Sequence, residues 1–140
     1  MAQLIRSLYF LSLVISSAKS FQSHRVATSP NPAAVLEYWF GGEPNTNFKE
    51  KWFTRPASSH QTSADAKINL MFGHYVRAAE ECRLDFWEES PSDMLALIIV
   101  LDQFSRHVHR SHPERVSHND AIALSKANLL LQKGWDNEVC

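Results

Sequence analysis

An eight-residue run, Met94 to Leu101 in "SPSDMLALIIVLDQFSRHVHR", contains no polar side chain and decides most of what this chain can become. A helix that is apolar on every face has to lie inside a protein, covered on all sides. The run is preceded by Ser90, a capping residue, with Pro91 at the first helical position. Asp93 sits three residues past the cap, where its charge suits the helix N-terminus. β-Branched residues are few and the flanks are helical caps, so the run is read as a central helix rather than a strand.

This helix ends in "DQFSRHVHR". Asp102 and Arg106 are spaced i, i+4 with the acid first, the favourable order. His109 and Arg110 follow Arg106 at i+3 and i+4 and are expected to continue its side, while Phe104 and Val108 share an apolar side with Leu101. One stripe therefore turns polar as the helix leaves the core. Two readings follow. In the structural one, Asp102, Gln103 and Arg106 satisfy each other and the loop around Trp39-Phe40-Gly41, and so fix helix register. In the functional one, Asp102 and Arg106 floor a pocket for a carboxylate or phosphate, with His107 or His109 carrying a proton. The structural reading is preferred, because ion-pair networks also occur without any site function.

The other constellations are weaker. "HVHRSH" crowds His107, His109 and His112, but i, i+2 positions point apart on a helix, and no nearby carboxylate completes a metal set. Ser105 and His109 at i, i+4 lack the strand–elbow context of a nucleophile and its base. Cys82 has Arg83 on one side and Glu80 and Glu81 on the other, which gives no clear cause for a lowered thiol pKa. No glycine-rich phosphate loop, paired metal cysteines, haem signature or flavin signature is present, so neither metal nor cofactor is expected.

Flanking segments also read as helices. "SPNPAAVLEYWFGG" offers Asn31 as cap, Pro32 at the first position and Gly41-Gly42 as stop. "NTNFKEKWFTRP" reads as one or two turns closed by Pro56. In "TSADAKINLMFGHYVRAAEECR", Ile68, Phe72, Tyr75 or Val76, and Ala79 share a side, with Thr62 and Ser63 as candidate caps. Gly73 inside that run costs about 1 kcal/mol against alanine, so a second helix is expected to pass close by. "SHNDAIALSKANLLLQKG" pairs a Ser or Asn cap with Asp120 early, Lys126 and Lys133 late, and Gly134 as the stop. Trp39, Phe40, Trp52, Phe53, Phe72, Tyr75, Phe86 and Trp87 are assigned to the core, part of them alternatively to a peptide groove.

Composition sets the outer limits. With 140 residues, 44% hydrophobic and 21% charged, the chain suits one globular domain. Four glycines are too few for the turns of an all-β fold. A net charge of −1 without basic clusters excludes an ordinary nucleic-acid binder. Two cysteines, Cys82 and Cys140, do not make a disulfide scaffold and are read as unpaired thiols.

The N-terminus, "MAQLIRSLYFLSLVISSAKSFQSHR", reads as an address. Arg6 is the positive n-region, Ser7 to Ala18 an apolar stretch too short to span a bilayer, and "AKS" a small-x-small cleavage site. Residues 1–20 are thus a signal peptide and 21–31 a transit-like linker. Phe21 leading "FQSHRVATS" resembles the two-part plastid presequence of algae with secondary plastids. A plastid destination is expected, with secretion as the alternative and no transmembrane segment in the mature chain.

The helical part resembles a family. Val35-Leu36-Glu37-Tyr38-Trp39-Phe40-Gly41 is similar to the opening "VLxFWFG" of the proteins classed as domain of unknown function family 924. Trp52-Phe53 resembles that family's next "WF" pair, and Leu84, Trp87 and Pro91 its "L..W...P" connector. Leu95-Ala96-Leu97-Ile98 and Leu101-Asp102-Gln103-Phe104-Ser105-Arg106-His107 resemble its signature, commonly "LALIxLLDQFPRN". Arg110, Asp120, Ala123, Gly134 and Asp136 fit its downstream pattern. Two departures stand out: Ser105 where proline is common, which keeps a backbone donor, and His107 where asparagine is common. The resemblance implies an all-α fold like a tetratricopeptide-repeat array, about five helices after the targeting segment, and no established activity. It also implies further helices beyond Cys140, so residues 32–140 are expected to be a helical domain incomplete at its C-terminus.

The expected function is therefore a small helical binding or interaction domain, its partner a protein, a peptide or a small anionic ligand. The polar cluster Asp102, Gln103, Arg106, His107 and Arg110 is its binding or structural centre. The alternative is an enzyme acting on a small anionic substrate through Asp102, Arg106 and His107.

Overall fold

The computed structural model describes residues 29–41 and 59–139. Residues 1–28, which carry the signal peptide and most of the transit-like linker, lie outside the described residues, as do the turns expected in "NTNFKEKWFTRP". Every regular element among the described residues is helical. They are α1 (Pro32–Phe40), α2 (Ser59–Glu80), a 3-10 turn (Asp85–Glu89), α3 (Pro91–Ile99), a π turn (Val100–Phe104), α4 (Ser105–Val108), α5 (Pro113–Gln132) and α6 (Asp136–Val139). The fold is all-α.

The central helix is the one the apolar run requires. The Ser90 hydroxyl accepts from the Asp93 amide at 3.3 Å, Pro91 opens α3, and every residue from Met94 to Leu101 is buried. α3, the π turn and α4 run on without a break and touch the rest of the molecule. α1, the 3-10 turn and α6 pack on α3; α2 packs on the π turn and α4; α5 lies against all three segments. Burying an eight-residue apolar stretch from all sides is what makes this arrangement stable.

α1 also starts and stops where its residues dictate. Asn31 Oδ1 accepts from the Ala33 amide at 3.0 Å, and the Gly41 amide closes the helix on the Glu37 carbonyl at 2.7 Å. The Asn31 amide donates to the Tyr75 hydroxyl at 3.1 Å, which ties the entrance of α1 to α2. On α2, Ile68, Phe72, Tyr75, Val76 and Ala79 are all buried, the face expected from their spacing. Gly134, with φ +71°, ends α5 in the left-handed conformation that glycine adopts without strain.

Several expectations are corrected. α2 begins at Ser59, so Thr62 and Ser63 lie inside the helix rather than capping it. α5 begins at Pro113, above Ser117 and Asn119: proline needs no amide partner there, and Glu114 favours the first turn. At Gly73, the atoms nearest to where a Cβ would sit belong to Asn69 and Arg77 of the same helix, so close approach of a second helix is not its reason. Phe86 is 61% exposed and leaves the core set, while Trp39, Phe72, Tyr75 and Trp87 are buried in it. Trp52 and Phe53 lie outside the described residues.

Nothing in the sequence spacing predicts the π turn. The Ser105 amide reaches back five residues to the Val100 carbonyl, which leaves the Leu101 carbonyl without the amide an α-helix would give it. The Ser105 hydroxyl takes that place, donating to Leu101 O at 2.5 Å. One side chain thus repairs the bond its own backbone gave up, inside a fully buried segment.

Candidate functional site: a polar clasp at the end of the central helix

Asp102 sits in the π turn with its side chain 3% exposed. Gln103 Nε2 donates to its Oδ2, and Arg106 Nη2 approaches its Oδ1 at 3.3 Å. The expected mutual pairing of Asp102, Gln103 and Arg106 is therefore present. Arg106 is less buried than that expectation required. Its side chain is 45% exposed, and its guanidinium is also held at 2.7 Å by Asp120 of α5.

His107 and Arg110 turn elsewhere. Asp65 of α2 accepts from His107 Nδ1 at 2.7 Å and from Arg110 through both Nε and Nη2, the latter at 2.8 Å. His109 is buried, and its Nε2 lies 2.6 Å from Glu80 Oε1, which also accepts from Asn119 Nδ2 at 2.8 Å. The expectation that His109 and Arg110 continue the side of Arg106 is thus corrected. Arg106 is paired with α5, His109 with the end of α2, and Arg110 with its beginning. The reason is local: the π turn adds a residue to the rotation and the helix ends at His109, so 3.6-residue spacing no longer relates these positions.

Charge follows this geometry. Burial pushes the Asp120 carboxyl above its ordinary range; Arg106 pulls it down and Asp102 pushes it up. Burial pushes the His107 imidazole down, Asp65 opposes this through its hydrogen bond and charge, and Arg110 adds to it. Burial and then Arg77 lower His74 on α2. The Asn119 side chain is fully buried, with Nδ2 bonded and Oδ1 without a partner.

Asp65, Glu80, Asn119 and Asp120 are the members that sequence reasoning does not place in the cluster. Asn119 reads as a cap, and Asp120 as an early-helix charge. Asp65 and Glu80 carry no signal, since they lie 45 and 29 residues from Arg110 and His109. Ser105 and His109 do not form a nucleophile–base pair: one is bonded to Leu101 O and the other to Glu80. Cys82 is exposed, with φ 56°. Among the described residues, no group of three metal-ligating side chains converges. None of their helices is long and apolar enough to cross a membrane.

A central apolar helix closing in a buried Asp-Gln-Phe-Ser-Arg turn, clasped by two flanking helices, defines a class of helical domain rather than a known active site. The chain belongs to the family described as bacterial protein of unknown function (DUF924), which matches residues 35–140. No curated protein and no solved structure matches it.

Proposed function

We propose that the chain is a small helical binding domain, its helices stacked like a tetratricopeptide-repeat array, and that its polar cluster is structural. One observation carries this reading. Arg106, the group that would receive an anion, is already flanked by the carboxylates of Asp102 and Asp120. A guanidinium shared by two acids has no positive charge to offer a carboxylate or phosphate. A protein or peptide partner is better served by the outer face of α5, where Ala121, Leu124, Ser125, Asn128, Leu129 and Gln132 line a groove of about 480 Å³. The leader sequence supports delivery to a plastid, with secretion as the alternative.

The second reading, an enzyme acting on a small anionic substrate through Asp102, Arg106 and His107, draws on the Asp65 carboxylate that orients the His107 ring at 2.7 Å. Thermal unfolding of the full chain with and without phosphate and succinate separates the two. The binding-domain reading expects no shift in Tm with either anion, and selection of peptides that Leu124→Glu no longer binds. An anion-dependent rise in Tm that disappears in Arg106→Gln would transfer the conclusion to the second reading.

A further inference from the structure

His107 and His109 are two residues apart, and both reach carboxylates of α2, yet the charge around them differs. Glu80 receives His109 and the neutral amide of Asn119, and among the described residues no lysine or arginine pairs with it. Asp65 receives His107 and is also gripped by Arg110 through two nitrogens. The single negative charge of Asp65 is therefore matched by Arg110 before His107 takes up any proton.

A proton on His109 meets an ionised carboxylate. A proton on His107 instead adds a second positive charge to a pair that is already neutral, on a side chain only 12% exposed. A buried charge without its own counter-charge is costly, and the local structure relieves it by moving the group to water. We propose that His107 is an acid-sensitive latch: its protonation drives the imidazole off the Asp65–Arg110 pair and releases α4 from α2, while Glu80 keeps His109 seated.

Three further observations agree. Asp65 on α2 and Arg110 in the turn after α4 are the charged groups facing His107; Asp120 of α5 faces Arg106 and Asp102 instead. Burial lowers the His107 pKa, with Arg110 adding to that and Asp65 opposing it, so the ring is neutral at the upper end of the histidine range. The family signature commonly carries asparagine at this position, a side chain that donates to a carboxylate but does not titrate. Histidine here makes the same contact conditional on pH.

Amide hydrogen exchange on the full chain tests the latch, read as protection factors at pH 7.5 and 5.5 so that intrinsic exchange cancels. In the wild type, amides from Ser105 to Val108 should lose about tenfold protection at the lower pH. Those from Leu95 to Ile99 should hold. His107→Asn should abolish the loss in Ser105–Val108. An equal loss in His107→Asn, or no loss in the wild type, would overturn the proposal. If His107→Asn does not fold, His107→Gln replaces it, and the wild-type ring proton of His107 is titrated by NMR. Titration in step with the Ser105–Val108 amides supports the latch, and titration out of step overturns it.

Discussion

Asp102 and Arg106 form an ion pair with one end in the core and the other in water: at 3.3 Å separation, the acid is 3% exposed and the arginine 45%. Removing one partner is therefore not the same as removing the other. Asp102→Ala strips a buried acceptor from Gln103 and Arg106, but Arg106 retains Asp120 and solvent. The loss should be about 1–3 kcal/mol, below the 3–5 kcal/mol of a fully buried pair. Arg106→Ala leaves the Asp102 carboxylate buried with only Gln103 and should cost at least as much. Urea unfolding of both variants measures this ordering.

Asn119 has a single acceptor for its amide, Glu80 at 2.8 Å, and no exposed surface. Asn119→Asp keeps the shape and replaces that donor by a second carboxylate facing the first. Two adjacent buried carboxylates repel, so one of them has to take up a proton. The variant should lose about 2–4 kcal/mol at pH 7 and recover part of it at pH 5. Denaturation midpoints at the two pH values would show the recovery; equal losses at both would mean that Glu80 is not the group facing Asn119.

The pH dependence of the wild type follows from the directions of three shifts. His107 and His74 have folded pKa values below the ordinary histidine value, so the unfolded chain binds more protons as the pH falls through about 6.5. Their contribution is present above that pH and is lost below it. Asp120 has the opposite sign: its raised folded pKa favours the fold at low pH, and that contribution fades as pH rises through the carboxylate range. Stability should therefore fall between pH 7 and 5. His107→Asn should flatten part of that fall, and His74→Gln a smaller part, in urea midpoints taken across the range.

How far these relationships can be read from sequence depends on their range along the chain. The start of α3 is local chemistry, a serine cap, a proline and an acid within four residues, and all of it stands as read. The Asp102–Arg106 pair is one helical turn and is legible for the same reason. Asn119 is not: asparagine is a good cap, and only docking of α5 against the end of α2 shows that it is interior. The start of α5 is hidden because His112 makes no side-chain cap and Pro113 alone marks it. The π turn leaves one trace, Ser105 at a position where the family commonly has proline. Helical spacing assumes an unbroken 3.6-residue period, so the partners of His107, His109 and Arg110 cannot be derived from it.

The same turn makes Phe104 the most connected ring of the core. It is fully buried, stacked on Phe72 at 4.5 Å, and lies edge-on to Tyr38 and Trp39 at 5.8 and 6.0 Å. Those partners belong to α1 and α2, so one side chain of the central helix holds both. Phe104→Ala removes the ring and leaves a cavity between three elements that cannot all close on it. The expected loss is about 3–5 kcal/mol. Phe104→Leu, which refills part of the volume, should lose less than half of that. Because the ring sits in the π turn, the alanine variant should also lower amide protection from Val100 to Ser105 more than at the start of α3. A uniform decrease along the whole helix would instead mean that the ring stabilises the fold globally and not the turn that carries Asp102.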